Sequence, residues 1–377
     1  MQLLRFAMLL AAALPAMAQY PGLSLPPDGD NQRASVTQGI GPVKVTVDYS
    51  SPRVTLNGMD RRGKIWGTLV PYGMFKQPFG PGKPAPWRTG ANENTVLTVS
   101  HDIEVEGKPL SAGRYGLFLV PEKDKPWTLI LSKNANAWGS FYYEESEDAL
   151  RVTVTPKKNA FREFLTFDFT DRRPDTATVE MQWEELAVPI RLRVKNIEDI
   201  YISRMSDELR NVPGFNWMGF VNAANYAVRT GKHLDKALEW AEIAISRPFI
   251  GQENFLTLST KANVLGAMDR DDESRKVMAQ AIRHPTATVL QIHQVGRTLL
   301  TADKVDLAIE VFQVNVDRYG DRWPTHVGMA RAWMAKGDMK KALEHARKAV
   351  EQAPDDLNRN NLKAMIQSLE QGKKFSN

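Results

Sequence analysis

The spacing of apolar residues changes near residue 199, and this change constrains the fold more than any other feature of the chain. Before it, apolar and polar residues alternate, as in Val43 to Tyr49, and Gly and Pro often interrupt the chain. Such alternation is typical of β-strands with one buried face. After it, helical spacing recurs in four pairs of segments. The chain therefore predicts a multi-domain β + α protein, with an all-β domain before a helical one.

Further strands are predicted between Gly, Pro and polar turns. They are Thr95–Ser100, Asp102–Val105, Gly113–Pro121, Trp127–Ser132, Leu150–Thr155, Glu163–Phe169, Thr176–Trp183 and Leu186–Lys195. Many short strands without intervening amphipathic helices favour an antiparallel β-sandwich or open barrel over residues 35–195. Residues 51–94 form a long loop rich in Gly, Pro and aromatic residues, and loops of this length are usually functional or local insertions.

Residues 199–377 contain paired helical segments and a final unpaired one. The predicted helices are 215–229 with 234–246, 254–268 with 270–283, 287–301 with 303–318, 324–335 with 338–352, and lastly 356–371. Small residues recur where two helices of a pair should meet, at Ala237, Ser274, Ala308 and Ala342, in steps of 37, 34 and 34 residues. This pattern resembles tetratricopeptide repeats and implies a tetratricopeptide-like α-solenoid capped by its last helix.

The first 18 residues have the pattern of a secretory signal peptide. Arg5 precedes an apolar core, and Ala16 and Ala18 place small residues where a signal peptidase cleaves. Cleavage near Ala18 would leave residues 19–34 as an extended leader. We therefore expect an exported protein, periplasmic or extracellular, without an integral membrane segment. The lack of cysteine, which excludes disulfides and thiolate ligands, fits an oxidising compartment.

Composition argues against several classes of function. The formal charge of +5 is mild and Lys and Arg are not clustered, so we expect no nucleic-acid partner. The six histidines form no metal-ligand spacing, so neither a metal nor another cofactor is expected. His101 lies next to Asp102, but a Gly-x-Ser-x-Gly nucleophile motif is missing.

The densest polar cluster of the β domain is Trp87–Thr95. Its Trp could form an apolar platform, its Arg could bind a carboxylate or phosphate, and its Asn and Glu could orient a ligand. Alternatively, the segment is a structural turn in which Arg88 pairs with Glu93 and Asn92 caps the backbone. The candidate ligand-binding residues are Arg53, Trp87, Arg88, Asn92 and Glu93.

Together with several other motifs, this cluster resembles a known family. The motifs are Ser51-Pro52-Arg53, Trp66-Gly67, Leu69–Gly73, Trp87–Thr95, Ala112–Tyr115, Trp127 and Trp138-Gly139. Over roughly residues 30 to 190, they resemble the secreted bacterial family called domain of unknown function 2911. The resemblance implies an exported β domain and transfers no activity. The stretch between Tyr72 and Trp87 is longer than the family pattern.

The helical repeats are expected to hold a protein or peptide partner in a groove formed by the first helix of each pair. The candidate groove residues are Asn222, Asn225, Gln294, Arg297, His326 and Arg331.

The sequence favours a non-catalytic binding or scaffolding protein of the cell envelope, whose β domain takes a small polar ligand or a glycan. One alternative is a hydrolase in which Glu93 acts as acid or base and Arg88 stabilises negative charge. A second is an assembly factor that makes only protein contacts. A separate candidate site, for a sugar or calcium, is the aromatic and acidic run Trp138–Asp148. More often such aromatic residues fill a core and the acidic residues cover a loop.

Overall fold

The computed structural model describes residues 31–78 and 80–373, and the chain divides into two compact units after Ile197. The expected signal peptide and most of the leader lie outside the described residues. The first unit contains twelve described strands. They are β1 (Gln32–Ile40), β2 (Val43–Ser51), β3 (Phe75–Lys76), β4 (Pro84–Ala85), β5 (Thr95–Val99), β6 (Ile103–Val105), β7 (Lys108–Leu110), β8 (Gly113–Val120), β9 (Trp127–Ser132), β10 (Asp148–Val154), β11 (Lys157–Thr170) and β12 (Thr176–Arg193).

The strands form two larger sheets and a two-stranded ribbon, all antiparallel. One sheet has the order β1-β2-β5-β8-β9-β10, the second has β11-β12-β6-β7, and the ribbon pairs β3 with β4. The predicted sandwich or open-barrel class is therefore confirmed. Both sheets are open at their edges among the described strands.

The burial of each strand follows its apolar pattern. In β2 the side chains of Val43, Val45 and Val47 are fully buried, while the residues between them are not. In β8 every residue from Tyr115 to Val120 is buried, so this central strand is covered on both faces. Apolar runs of this kind carry no period-two signal, yet β8 and β9 occupy the segments predicted for them.

Several segments differ from the strand predictions. The strand β1 begins within the expected leader, β3 and β4 lie in the expected loop, and β11 begins six residues before its predicted start. The predicted strands at 176–183 and 186–195 are one long strand, β12, in which Glu184 has a φ of 55° and shifts the register with β11. A β-bulge thus lies where the two predicted strands were separated. Lys108–Leu110, which lies outside the predicted strands, forms β7, because it pairs with Ile103–Val105.

The second unit contains ten described helices. They are α1 (Ile197–Glu208), α2 (Trp217–Thr230), α3 (Leu234–Ser246), α4 (Phe255–Ala267), α5 (Asp271–Arg283), α6 (Val289–Thr301), α7 (Val305–Tyr319), α8 (Trp323–Lys336), α9 (Met339–Glu351) and α10 (Asp356–Glu370). Each of the nine predicted helices is present. The helix α1 was not predicted as a separate element.

Helices α2 to α9 pack as consecutive pairs, as the small-residue pattern predicts. Ala237, Ala308 and Ala342 are fully buried, and the Ser274 hydroxyl donates to the carbonyl of Ala262 over 2.7 Å. Small side chains here allow two helix backbones to approach. The helix ends are also encoded locally: Asn254, for example, caps α4 by accepting from the Thr257 amide at 3.0 Å. Throughout the part of the chain that the structure describes, no helix has the length and apolar character required to span a membrane.

Candidate functional site

The loop that follows Trp87 is held tightly against the large sheet. Trp87 exchanges backbone hydrogen bonds of 2.9 Å with Leu119, and the Thr95 hydroxyl donates to the carbonyl of Thr89 over 2.7 Å. At Gly90, a β-carbon would lie 2.9 Å from the carbonyl oxygen of Ser50. Only glycine fits this approach, so the loop backbone is locked beside β2.

Four tryptophans from distant parts of the sequence form one cluster behind this loop. The Trp66 ring centroid lies 5.1 Å from that of Trp127, 5.6 Å from that of Trp87 and 5.8 Å from that of Trp183. Trp87 and Trp183 stack at 6.1 Å with nearly parallel rings. The Trp87 side chain is only 6 % exposed, so it is packed within this cluster and is not the open platform that we expected. Such clusters fix ring positions through packing and ring electrostatics.

A cavity of about 550 Å³ opens between this cluster and the long loop. Its apolar wall includes Leu56, Leu69, Phe75, Trp87 and Trp183. Its charged side chains, within residues 31–78 and 80–373, are all arginines: Arg53, Arg61 and Arg88. The volume is typical of small-molecule sites, in which a largely apolar wall carries a few polar groups.

Of the three arginines, Arg88 has the fewest interactions that offset its positive charge. Neither an ion pair nor a side-chain hydrogen bond links its guanidinium to any described residue, and burial lowers the pKa of Arg88. Its Nη1 atom lies beside Gly139, where a β-carbon would be 2.7 Å away. A desolvated cation without a counter-ion is costly, and an anion in the cavity would offset that cost.

Arg53 and Arg61 are anchored differently. Arg53 pairs with Glu163 at 3.6 Å and lies over the Phe164 ring. Arg61 donates to two backbone carbonyls, those of Val54 at 2.9 Å and Arg53 at 2.5 Å. Carbonyls orient the Arg61 guanidinium without neutralising its charge, so the wall of the cavity remains cationic.

Arg61 was not among the candidate residues. In the sequence it is one of two adjacent arginines in a loop, and nothing there separates it from the exposed Arg62.

Asn92 and Glu93 do not line the cavity. The Glu93 carboxylate contacts Arg33 at 3.3 Å and the Ser50 hydroxyl at 3.5 Å, and its backbone bridges to Trp138. Asn92 has a φ of 57°, which an Asn tolerates better than most residues, and so serves the turn. Arg88 and Glu93 therefore neither pair with each other nor face one cavity.

Five of the six candidate groove residues have side chains at or near the surface of the helical unit. Asn222 and Asn225 are exposed on α2, Gln294 and Arg297 are exposed on α6, and Arg331 is half-buried on α8. The exception is His326, which is 3 % exposed. Its ring bonds to His345 on α9 and to Asp321, so it belongs to the packing of the last helix pair.

The remaining candidates do not assemble into a site. His101 bonds to the Ser100 hydroxyl at 2.9 Å, and Tyr143 is held by Asp148 and Arg151. In the acidic run after Trp138, the carboxylates of Glu144 and Asp148 are engaged by basic side chains. The described residues contain no group of three or more His, Asp or Glu placed to hold a metal ion.

Two solved structures are similar to part of this chain. "Crystal structure of YrrB: a TPR protein with an unusual peptide-binding site" has a TM-score of 0.29 and 18% identity, and covers 45% of this chain and 84% of that chain. "MamA RS-1 ArsTM double mutant" has a TM-score of 0.27 and 17% identity, and covers 41% of this chain and 94% of that chain. Because these TM-scores are low, the helical fold follows from the helices α1 to α10 and not from the two similar structures.

No curated protein matches the chain. A family model described as "Protein of unknown function (DUF2911)" matches residues 31–192, which is the β domain with its cavity. The family resemblance carried by the Trp87–Thr95 motif is thereby confirmed for this domain.

Proposed function

We propose that the protein is a non-catalytic binding protein, whose β domain takes a small anionic ligand in the arginine-lined cavity and whose helical domain holds a polypeptide partner. The observation that carries the first half is Arg88, a desolvated guanidinium without an ionic partner in the described chain, in the wall of a 550 Å³ cavity. Arg61, held by carbonyls, adds a second charge to the same wall.

The cavity favours a ligand with both an apolar body and an anionic group. Leu56, Leu69 and Phe75 offer apolar contact, whereas a planar guanidinium matches the two oxygens of a carboxylate or phosphate.

Isothermal titration calorimetry with matched probes tests this proposal. N-acetylmuramic acid and N-acetylglucosamine differ in a lactyl group that carries a carboxylate, so their comparison separates charge recognition from sugar recognition. Inorganic phosphate and citrate extend the series to anions without a sugar. We expect binding of at least one anion and none of N-acetylglucosamine, with an affinity loss of at least about tenfold in Arg88→Ala.

A matched control is Arg191→Ala on β12. Arg191 is exposed and does not line the cavity, yet its removal changes the net charge by the same amount. Equal loss of affinity in both variants would show that the net charge of the protein, and not Arg88 in the cavity, determines anion binding. If N-acetylglucosamine bound as tightly as N-acetylmuramic acid, the site would recognise the sugar and not the carboxylate.

A hydrolase is not favoured by this geometry. General acid–base work requires a carboxylate within reach of the bound substrate. The acidic candidate, Glu93, is engaged by Arg33 away from the cavity, and none of the described lining residues is Asp or Glu.

We further propose that the protein acts outside the cytoplasm after removal of its first 18 residues. The apolar core between Arg5 and Ala16 and the small residues before Gln19 support this proposal, as does the lack of cysteine. Expression of the full chain in a bacterium, followed by fractionation and intact-mass measurement, is expected to yield a periplasmic or extracellular form that begins at Gln19. An uncleaved cytoplasmic form would contradict it.

A further inference from the structure

Charge is segregated between the two helices of each repeat. The first helices α2, α4, α6 and α8 contain no Asp or Glu, whereas the second helices α3, α5, α7 and α9 each contain at least two. The first helices nevertheless carry five Lys or Arg residues: Arg229, Lys261, Arg297, Arg331 and Lys336. One wall of the helical stack therefore has cations without acids of its own.

The ninth residue of every first helix is a hydrogen-bond donor. These residues are Asn225, Asn263, Arg297 and Arg331, and each follows a small residue at the eighth position. The small residues are buried against neighbouring helices. Three of the four donors are exposed and the fourth is half-buried. The repeat thus places one donor per first helix beside the helix contact, and none of the four side chains bonds to another described residue.

The helices α6 and α8 place two of these donors, Arg297 and Arg331, within range of a mutual electrostatic interaction. Phe312 of α7 packs against Gly296 of α6 and Gly328 of α8, and a β-carbon at either glycine would collide with its ring. The Nδ1–H of His293 on α6 donates to the carbonyl of Pro324 at the start of α8, over 2.9 Å. These contacts fix the spacing of the two arginine-bearing helices.

Arg297 and Arg331 lack the counter-ions that two other cations of this wall possess, and unlike Arg229 they do not lie over an aromatic ring of the described chain. Lys261 pairs with Glu242 at 3.0 Å, and Lys336 pairs with Asp306. For Arg297 and Arg331, the described chain provides no carboxylate at ion-pairing distance, and the buried Nε of Arg331 has no acceptor there. Burial and, secondly, the charge of Arg297 lower the pKa of Arg331. The two cations repel each other and are left without a neutralising group.

We infer that Arg297 and Arg331 form a site for a carboxylate-bearing segment of a partner polypeptide. A side-chain or C-terminal carboxylate bound at the two guanidinium groups would neutralise their charge and relieve their repulsion. Asn225 and Asn263, on the first helices α2 and α4, offer further hydrogen-bond donors to the carbonyl groups of a bound peptide. This inference rests on the proposed function of the helical domain, and it specifies that the partner's bound segment is acidic and not neutral.

The test uses fluorescence anisotropy of the full chain with two labelled ten-residue peptides, (Glu-Gly)5 and (Gln-Gly)5. We expect the acidic peptide to bind at least about tenfold more tightly, and added salt to weaken it. Arg297→Gln and Arg331→Gln should each reduce its affinity about tenfold. Arg331→Lys should recover only part of the loss, because an ammonium keeps the charge but not the planar fork.

Two controls locate the effect. Lys340→Gln removes an exposed charge from the second helix α9 and should leave the affinity within about twofold of the parent. Arg88→Met removes the key cation of the β-domain cavity and tests whether the acidic peptide enters that cavity instead of the helical domain. Loss of peptide binding in Arg88→Met would assign the acidic peptide to the β domain and overturn the inference.

The other outcomes separate this inference from the proposal on which it rests. Equal affinity for both peptides, with no effect of the arginine variants, would overturn the acidic preference and leave polypeptide binding intact. No binding of either peptide at millimolar concentration would overturn both.

Discussion

The Nη1 atom of Arg88 lies so close to Gly139 that a β-carbon at residue 139 would be 2.7 Å from it. Gly139→Ala is therefore expected to displace the guanidinium and to strain the backbone, because the φ of residue 139 is +66°. We expect a loss of about 2 kcal/mol in unfolding free energy and weaker anion binding. Gly73→Ala is the matched control, since Gly73 has a φ of +73° and open space around its β-position. Similar losses in both variants would show that only backbone strain matters.

Arg88→Met is expected to weaken anion binding without destabilising the ligand-free protein. Methionine keeps much of the side-chain volume and removes a charge that burial penalises, so the unfolding free energy should stay equal or rise by about 1 kcal/mol. Denaturant titration with and without citrate measures both effects. Strong destabilisation of the ligand-free variant would mean that Arg88 has a structural role.

Gly296→Ala tests the packing of Phe312 between α6 and α8. In an open helix this change would add up to about 1 kcal/mol of stability, but here the new methyl group meets the Phe312 ring. A net loss of about 1–3 kcal/mol is expected. Gly266→Ala on α4 is the control, because its nearest neighbour is the small Ser274 hydroxyl at 3.3 Å. Adding Phe312→Leu to Gly296→Ala should produce a smaller loss than the two separate effects combined.

The stability of the helical domain should fall as the pH drops through the range set by His293. Burial, as the largest cause, lowers the pKa of His293 to about 4, below its ordinary value of 6.5. Between these values the unfolded chain binds the proton and the folded chain does not, so this contribution is complete above pH 6.5 and is lost toward pH 4. The loss is on the order of 3 kcal/mol.

Thermal unfolding from pH 7 to pH 4 checks this prediction in the parent and in His293→Asn. Asparagine can still donate to the carbonyl of Pro324 but does not titrate. The variant should therefore lose stability less steeply, with a residual slope from His345, whose pKa burial also lowers. Identical slopes in the two proteins would contradict the assignment.

Several features of the protein follow from short-range patterns in its sequence. Helices such as α3 and strands such as β2 form where periodicity predicts them, because each depends on which face of a local element is apolar. The small residues at Ala237, Ser274, Ala308 and Ala342 predict helix pairing for the same reason. The resemblance to which the Trp87–Thr95 motif contributes is confirmed by the family model that matches residues 31–192.

The elements that differ from prediction depend on partners far along the chain. The Lys108–Leu110 segment is a strand only because β6 lies beside it, and β12 continues through Glu184 because a bulge absorbs the irregularity. The sequence alone cannot report either pairing, since both are properties of the assembled sheet.

Tertiary structure alone decided which polar side chains share a site. Arg88 and Glu93 are five residues apart, and the sequence suggests a pair, yet Glu93 bonds to Arg33 while Arg88 faces a cavity with Arg61. His326 has the helical position of a groove residue, but contact with His345 turns it inward. Local periodicity determines which residues form helices and strands, whereas the direction of a charged side chain depends on desolvation and on partners that only the packed fold supplies.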